Sequence, residues 1–177
     1  MAKRFLAALP LLAGMAACAI AQESDQPLAN AKVGDWAVYT TTSAQFKSTM
    51  REEVVAIKGK LVTVKFTSTV NGIDLPASEQ TFDVSKKVDP NAGVDKADNL
   101  KIKETGVGKE TLKVNGKDYV CDWRANHIIA TANGQEIVSE SKVWISKDGP
   151  LFGMVKTETR ASGILTMMEL TESGTKK

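Results

Sequence analysis

From residue 33 onward, apolar and polar side chains alternate with a period of two. In LVTVKFTSTV, Val62, Val64, Phe66 and Val70 fall on one face, and Thr63, Lys65, Thr67 and Thr69 on the other. Such alternation predicts a strand with one buried and one wet side. ETLKV repeats it with Leu112 and Val114, and KDYVCDW with Tyr119, Cys121 and Trp123. VWISKDGPLFGMVKTET reads as a strand, a stop at Asp148-Gly149-Pro150, and a second strand carrying Phe152 and Met154 on one face. On the last strand, Met168 shares a face with Ile164 and Leu170.

The breaks agree with the strands. Asn-Gly occurs at 71–72, 115–116 and 133–134, each between strand-like runs. Both residues tolerate the positive φ of a type I′ hairpin turn, whose twist matches the flanking strands. Lys58–Lys60 and Ala161–Gly163 carry weaker turn signals. Gly106-Val107-Gly108-Lys109 reads as a loop bend. Ser85–Lys101, with Pro90, Gly93 and several charges, reads as a long connection with a short helix near Val94–Leu100. Eight to ten long antiparallel strands follow, in one strongly curved sheet or half-barrel with at most short helices: an all-β domain over residues 33–174, with 175–177 as a tail. A sheet of this size must twist and curl, and its concave apolar face must be filled by side chains, a helix or a ligand.

Residues 1–21 differ in kind. Lys3-Arg4, the apolar run Phe5–Ala17 and the small residues after it predict an export signal. Ala19-Ile20-Ala21 offers a cut before Gln22. Met15-Ala16-Ala17-Cys18 is similar to a lipobox, in which an acylated Cys18 would become the first residue and a membrane anchor. Residues 22–32 form a polar lead-in. The expected location is therefore outside the cytoplasm, periplasmic or secreted, or alternatively as an anchored lipoprotein. Removing Lys3 and Arg4 from the 23 basic residues leaves 21, against 21 acidic ones. A neutral chain with scattered charges argues against a nucleic-acid partner, which would need a basic face.

Chemistry-bearing residues are few. The single histidine, His127, lies six positions from Cys121 on one strand, about 20 Å away at ordinary strand rise, too far for a nucleophile–base pair. Zinc, calcium and phosphate-loop spacings are absent, and no metal or cofactor is expected. Glu52-Glu53 are adjacent on a strand and point to opposite faces, a poor start for chelation. Cys121, left alone by loss or lipidation of Cys18, reads as a small buried hydrophobe.

KVWISKDGPLFGMVKTE resembles the Trp–strand–Asp–Pro–strand signature of the LolA/LolB-like superfamily of bacterial envelope proteins. AKVGDWAVYTTT and MMELTESG are similar in position and style to first and last strands of exported proteins of that kind. The resemblance implies an incomplete antiparallel barrel plugged by helices, around a cavity for lipid or acyl groups, with Trp144, Asp148 and Pro150 at an architectural corner. The scarcity of helix here departs from that pattern. The expected function is a non-enzymatic envelope protein that binds a lipid or acyl chain in the concave face. Its candidate lining is Val62, Val64, Phe66, Leu112, Val114, Tyr119, Trp123 and Met168. The alternative is a structural or protein-interaction module with a packed interior and no ligand. Any protein partner is unnamed by the sequence.

Overall fold

The computed structural model describes residues 27–86, 100–132 and 135–176. The export signal, Cys18, the Asn133-Gly134 turn and most of the Ser85–Lys101 connection lie outside the described residues. Pro27–Asn30 forms a 3-10 turn. Ten strands follow: β1 (Asp35–Ser43), β2 (Lys47–Lys58), β3 (Leu61–Val70), β4 (Ile73–Asp74), β5 (Ser78–Asp83), β6 (Leu100–Val114), β7 (Lys117–Ala132), β8 (Gln135–Ile145), β9 (Met154–Ala161) and β10 (Ile164–Thr175). The fold is all-β, as the alternation predicts.

The strands form one antiparallel sheet in the order β4-β3-β2-β1-β10-β9-β8-β7-β6, with β5 also paired to β3. Consecutive strands pair except β4 with β5 and β5 with β6, and β1 and β10 join the two ends of the chain, from Asp35↔Thr175 to Ser43↔Thr166. The sheet is not closed into a barrel. The hairpins turn where the sequence predicts. Asn71 and Gly72 have φ of 50° and 82°, and Asn115 and Gly116 of 50° and 81°, the pair of left-handed residues that a type I′ turn requires.

Two expectations are corrected. Gly106–Lys109 is not a loop bend but the middle of β6. Its glycines stay extended because the Trp123 ring of the neighbouring strand lies on them; a Cβ on Gly108 would come within 2.7 Å of that ring. Nor does the strand after the Asp-Gly-Pro stop carry Phe152. It begins at Met154, because Leu151 and Gly153 sit at φ of 46° and 75°, which no strand accommodates. Of the helix expected at Val94–Leu100, Leu100 starts β6 and the rest lies outside the described residues.

Alternation along the paired registers defines two faces. One, here the inner face, carries Ala37, Tyr39, Glu52, Val54, Val62, Val64, Phe66, Leu170 and Met168. The opposite face carries Trp36, Arg51 and Glu53 at one end, and Trp123, Lys142, Trp144 and Lys156 further along. A bulge where Met154 and Val155 face Ile145 puts two successive side chains into the interior, 2% and 1% exposed. Leu28, from the polar lead-in, is buried in the same core.

Candidate functional site

The segment from Ser146 to Gly153, between β8 and β9, determines what the inner face can hold. Ser146 N–H donates to Gly153 O at 2.8 Å, Gly149 N–H to Ser146 O at 3.0 Å, and Gly153 N–H to Pro150 O at 2.7 Å. The chain thus closes on itself as a compact corner. A side chain at Gly149 would collide with the Gly153 carbonyl, at 2.7 Å from its Cβ, so the bend needs glycine there. Leu151, held in the left-handed region that costs a leucine about 1–2 kcal/mol, is nonetheless buried. Phe152 packs edge-on to Phe82 at 5.1 Å and stacks with Phe66 at 6.5 Å, both distances between ring centroids. Asp148 O of the corner accepts from Lys117 Nζ at 3.4 Å, and just beyond it the first residue of β9 is held by Tyr39 Oη–H, which donates to Met154 O at 3.2 Å. Leu151 of the corner thus lies in the buried core and Phe152 packs against it.

The eight candidate lining residues do not share one face. Val62, Val64, Phe66 and Met168 stand on the inner face. Leu112, Val114, Tyr119 and Trp123 stand on the opposite one, where Trp123 pairs with Trp144. All eight belong to one continuous buried cluster or pack against it, together with Leu28, Leu151 and Met154. Two open clefts mark the surface. One, of about 310 Å³, runs past Asp35, Trp36, Lys117, Asp148 and Thr175; the other, of about 330 Å³, past His127, Glu140, Lys142, Glu158 and Arg160. Both are walled largely by polar side chains, and neither reaches Val64, Phe66 or Glu52.

Glu52 is the residue that sequence reading missed. It is 2% exposed, between Ala37 and Phe66 across the strands and Met50 and Val54 along its own. Its Oε2 has no hydrogen-bond partner among the described residues. Burial alone pushes its carboxyl up to about 8, so it is largely protonated at neutral pH. The signal was present: in MREEVVAIK, Glu52 occupies the parity of Met50 and Val54, a polar residue in an apolar column. Glu53, one step on, has the contrary environment. Its hydrogen bond from Lys176 and its contact with Arg51, at 3.3 Å, hold its carboxyl below the ordinary range. The two carboxylates face opposite ways, as expected, and form no chelating pair.

On the opposite face, charge and aromatic rings are interleaved and mutually satisfied. Lys142 Nζ lies 4.1 Å from the centroid of Trp123 and 4.3 Å from that of Trp144. Trp144 Nε1–H donates to Glu110 Oε2 at 2.8 Å, which lowers the Glu110 carboxyl. Lys156 bridges Glu158 and Glu169 at 2.9 and 3.2 Å. Trp36 repeats the arrangement, with Arg51 4.2 Å above one side of its ring and Gly174 on its register partner position. Cys121 is fully buried and its thiol is pushed up to about 11, chiefly by burial, so it remains a thiol at neutral pH. Among the described residues no group of His, Cys, Asp and Glu is arranged to hold a metal ion.

No family model matches the chain, and no curated protein matches it. Solved structures share its fold. A candidate exported protein with a YmcC-like fold from Bacteroides fragilis superimposes with a TM-score of 0.52 at 8% identity, over 81% of this chain and 96% of that one. A candidate lipoprotein from Parabacteroides distasonis gives 0.52 at 12% identity, over 86% of this chain and 100% of that one. At such identities the likeness is one of fold alone.

Proposed function

We propose that the protein is an exported, non-enzymatic component of the bacterial cell envelope that works through its surface, with the inner face of its sheet filled by its own chain. The export reading rests on Lys3-Arg4 and the apolar run after it, and is supported by fold neighbours that are themselves candidate exported and lipoprotein chains. The observation that carries the packed interior is the corner: Leu151 and Phe152 occupy the space that a ligand would need beside Phe66 and Phe82. The LolA/LolB resemblance fits this reading at the level of compartment and architecture. Native mass spectrometry of protein purified from its own envelope, with titration of a fluorescent fatty acid, tests the reading. No co-purifying acyl species and no saturable binding are expected; a stoichiometric acyl chain would overturn it. Intact-mass measurement separates cleavage before Gln22 from acylation at Cys18.

A second reading, an apolar ligand that takes the place of Leu151 and Phe152, is favoured by one observation. The corner holds leucine at a φ that leucine resists. Burial of each methylene of an incoming chain would gain about 0.8 kcal/mol, which a chain of moderate length could set against the lost packing of two side chains. Phe152→Ala distinguishes the two readings: probe binding that appears only in the variant supports the first, and tighter binding by an already competent wild type the second.

A further inference from the structure

We propose that the β8–β9 corner is a proton-controlled latch coupled to Glu52 through Phe66, held shut while the carboxyl keeps its proton and released when the proton leaves. Geometry links the two. Glu52 stands directly across from Phe66, and Phe66 stacks on Phe152 of the corner. The carboxyl is 2% exposed with one oxygen unpartnered, so an ionised Glu52 has neither water nor a cation to stabilise it. The corner is a small self-bonded unit that can lift without breaking its own Ser146–Gly153 closure, losing the Lys117–Asp148 link and the packing of Phe152 on Phe66 and Phe82.

The groups around Glu52 leave it without a counter-charge. Its neighbours along β2 are Met50 and Val54, while Arg51 and Glu53 point to the opposite face. β1 presents Ala37 and the Tyr39 phenol, and near its start Asp35, which already accepts from Lys32 N–H and Thr175 Oγ1–H. β3 and β5 present Val64, Phe66, Ser68, Gln80 and Phe82. β7 adds Tyr119 and the protonated Cys121 to the same core; β9 and β10 add Met154, Val155, Met168 and Leu170. The corner itself carries Lys147 and Asp148, both exposed. Accordingly, burial is the sole cause of the shift of Glu52 to about 8. In the open state, where water reaches it, the carboxyl returns toward its ordinary value of 4.5. Opening therefore gains about tenfold per pH unit as pH rises between those two values, and levels off above the upper one.

Segment-resolved hydrogen exchange of the full chain between pH 5 and 9, corrected for intrinsic amide rates, tests the latch. The expected result is a rise of about tenfold per pH unit in the opening of residues 146–153, flattening near pH 8, and absent in Glu52→Gln. An unchanged pH profile in Glu52→Gln overturns the proposal. If that variant does not fold, the wild-type profile decides. A rise confined to the corner supports the latch, and one spread equally over β1, β2 and β3, or located at Pro27–Asn30 instead, overturns it. Phe152→Ala, which weakens the latch from the other side, is expected to expose the corner already at pH 6.

Discussion

Two faces of one strand carry two glutamates to opposite ends. On the inner face of β2, Glu52 is surrounded by Ala37, Met50, Val54 and Phe66 and keeps its proton. On the other face, Glu53 joins Arg51, Lys176 and Trp36 and loses its proton more readily than a free side chain. The same division holds across the sheet. The inner face is closed by shape, through the corner. The opposite face is closed by charge, through lysine and arginine laid over tryptophan. The first arrangement is costly to disturb and sensitive to one proton. The second is a set of half-buried cation–ring and ion-pair contacts, each of which contributes little on its own.

This difference ranks the perturbations. Phe152→Ala removes a partly buried ring from the aromatic cluster with Phe66 and Phe82, and should cost about 3–5 kcal/mol in denaturant unfolding, toward the lower end because the ring is not fully enclosed. A cost within measurement error would mean that the corner does not hold the inner face closed.

The next effect is the pH dependence of Glu52. Its value is raised from 4.5 in the unfolded chain to about 8 in the folded one, so the folded state binds more protons between those values. Stability contributed by the neutral carboxyl is complete below pH 4.5 and is lost as pH rises toward 8, by at most about 1.4 kcal/mol per pH unit. Chemical denaturation at a series of pH values should show this slope in the wild type and lose it in Glu52→Gln. Glu53 works in the other direction, its contribution present at neutral pH and lost as pH falls through its lowered value.

Gly108→Ala sharpens the comparison on the opposite face. Its new Cβ would meet the Trp123 ring at 2.7 Å. A loss of about 1–3 kcal/mol is expected in the same unfolding measurement, together with a change in tryptophan fluorescence. The smallest effect belongs to Lys142→Ala, which removes the cation over Trp123 and Trp144 but leaves both rings packed. About 0.5–1 kcal/mol is expected, and less at high salt. A larger loss than that of Phe152→Ala would reverse the ranking of the two faces.

Much of the architecture was legible because it is local. Period-two alternation placed Val62, Val64 and Phe66 on one side of β3, and Asn-Gly pairs marked the β3–β4 and β6–β7 turns, since these features depend on each residue and its immediate neighbours. What misled the reading was contact between residues on different strands and segments. Gly106 and Gly108 look like a bend until Trp123 is laid across them. Leu28 reads as part of a polar lead-in until it is seen in the core.

The candidate site shows the same boundary. The sequence by itself determined that the chain makes long antiparallel hairpins, that Glu52 and Glu53 face apart, and that Cys121 lies inside. Alternation, however, assigns a side chain to one of two faces within a strand without saying which faces of different strands coincide. Only the register, running through β1↔β10 and β8↔β9, put Met168 on the side of Val64 and Trp123 on the other. Only tertiary structure brought Leu151 and Phe152 onto the inner face and left Glu52 without a partner, because burial and charge compensation depend on what packs above a residue, which pairing along the strand does not specify.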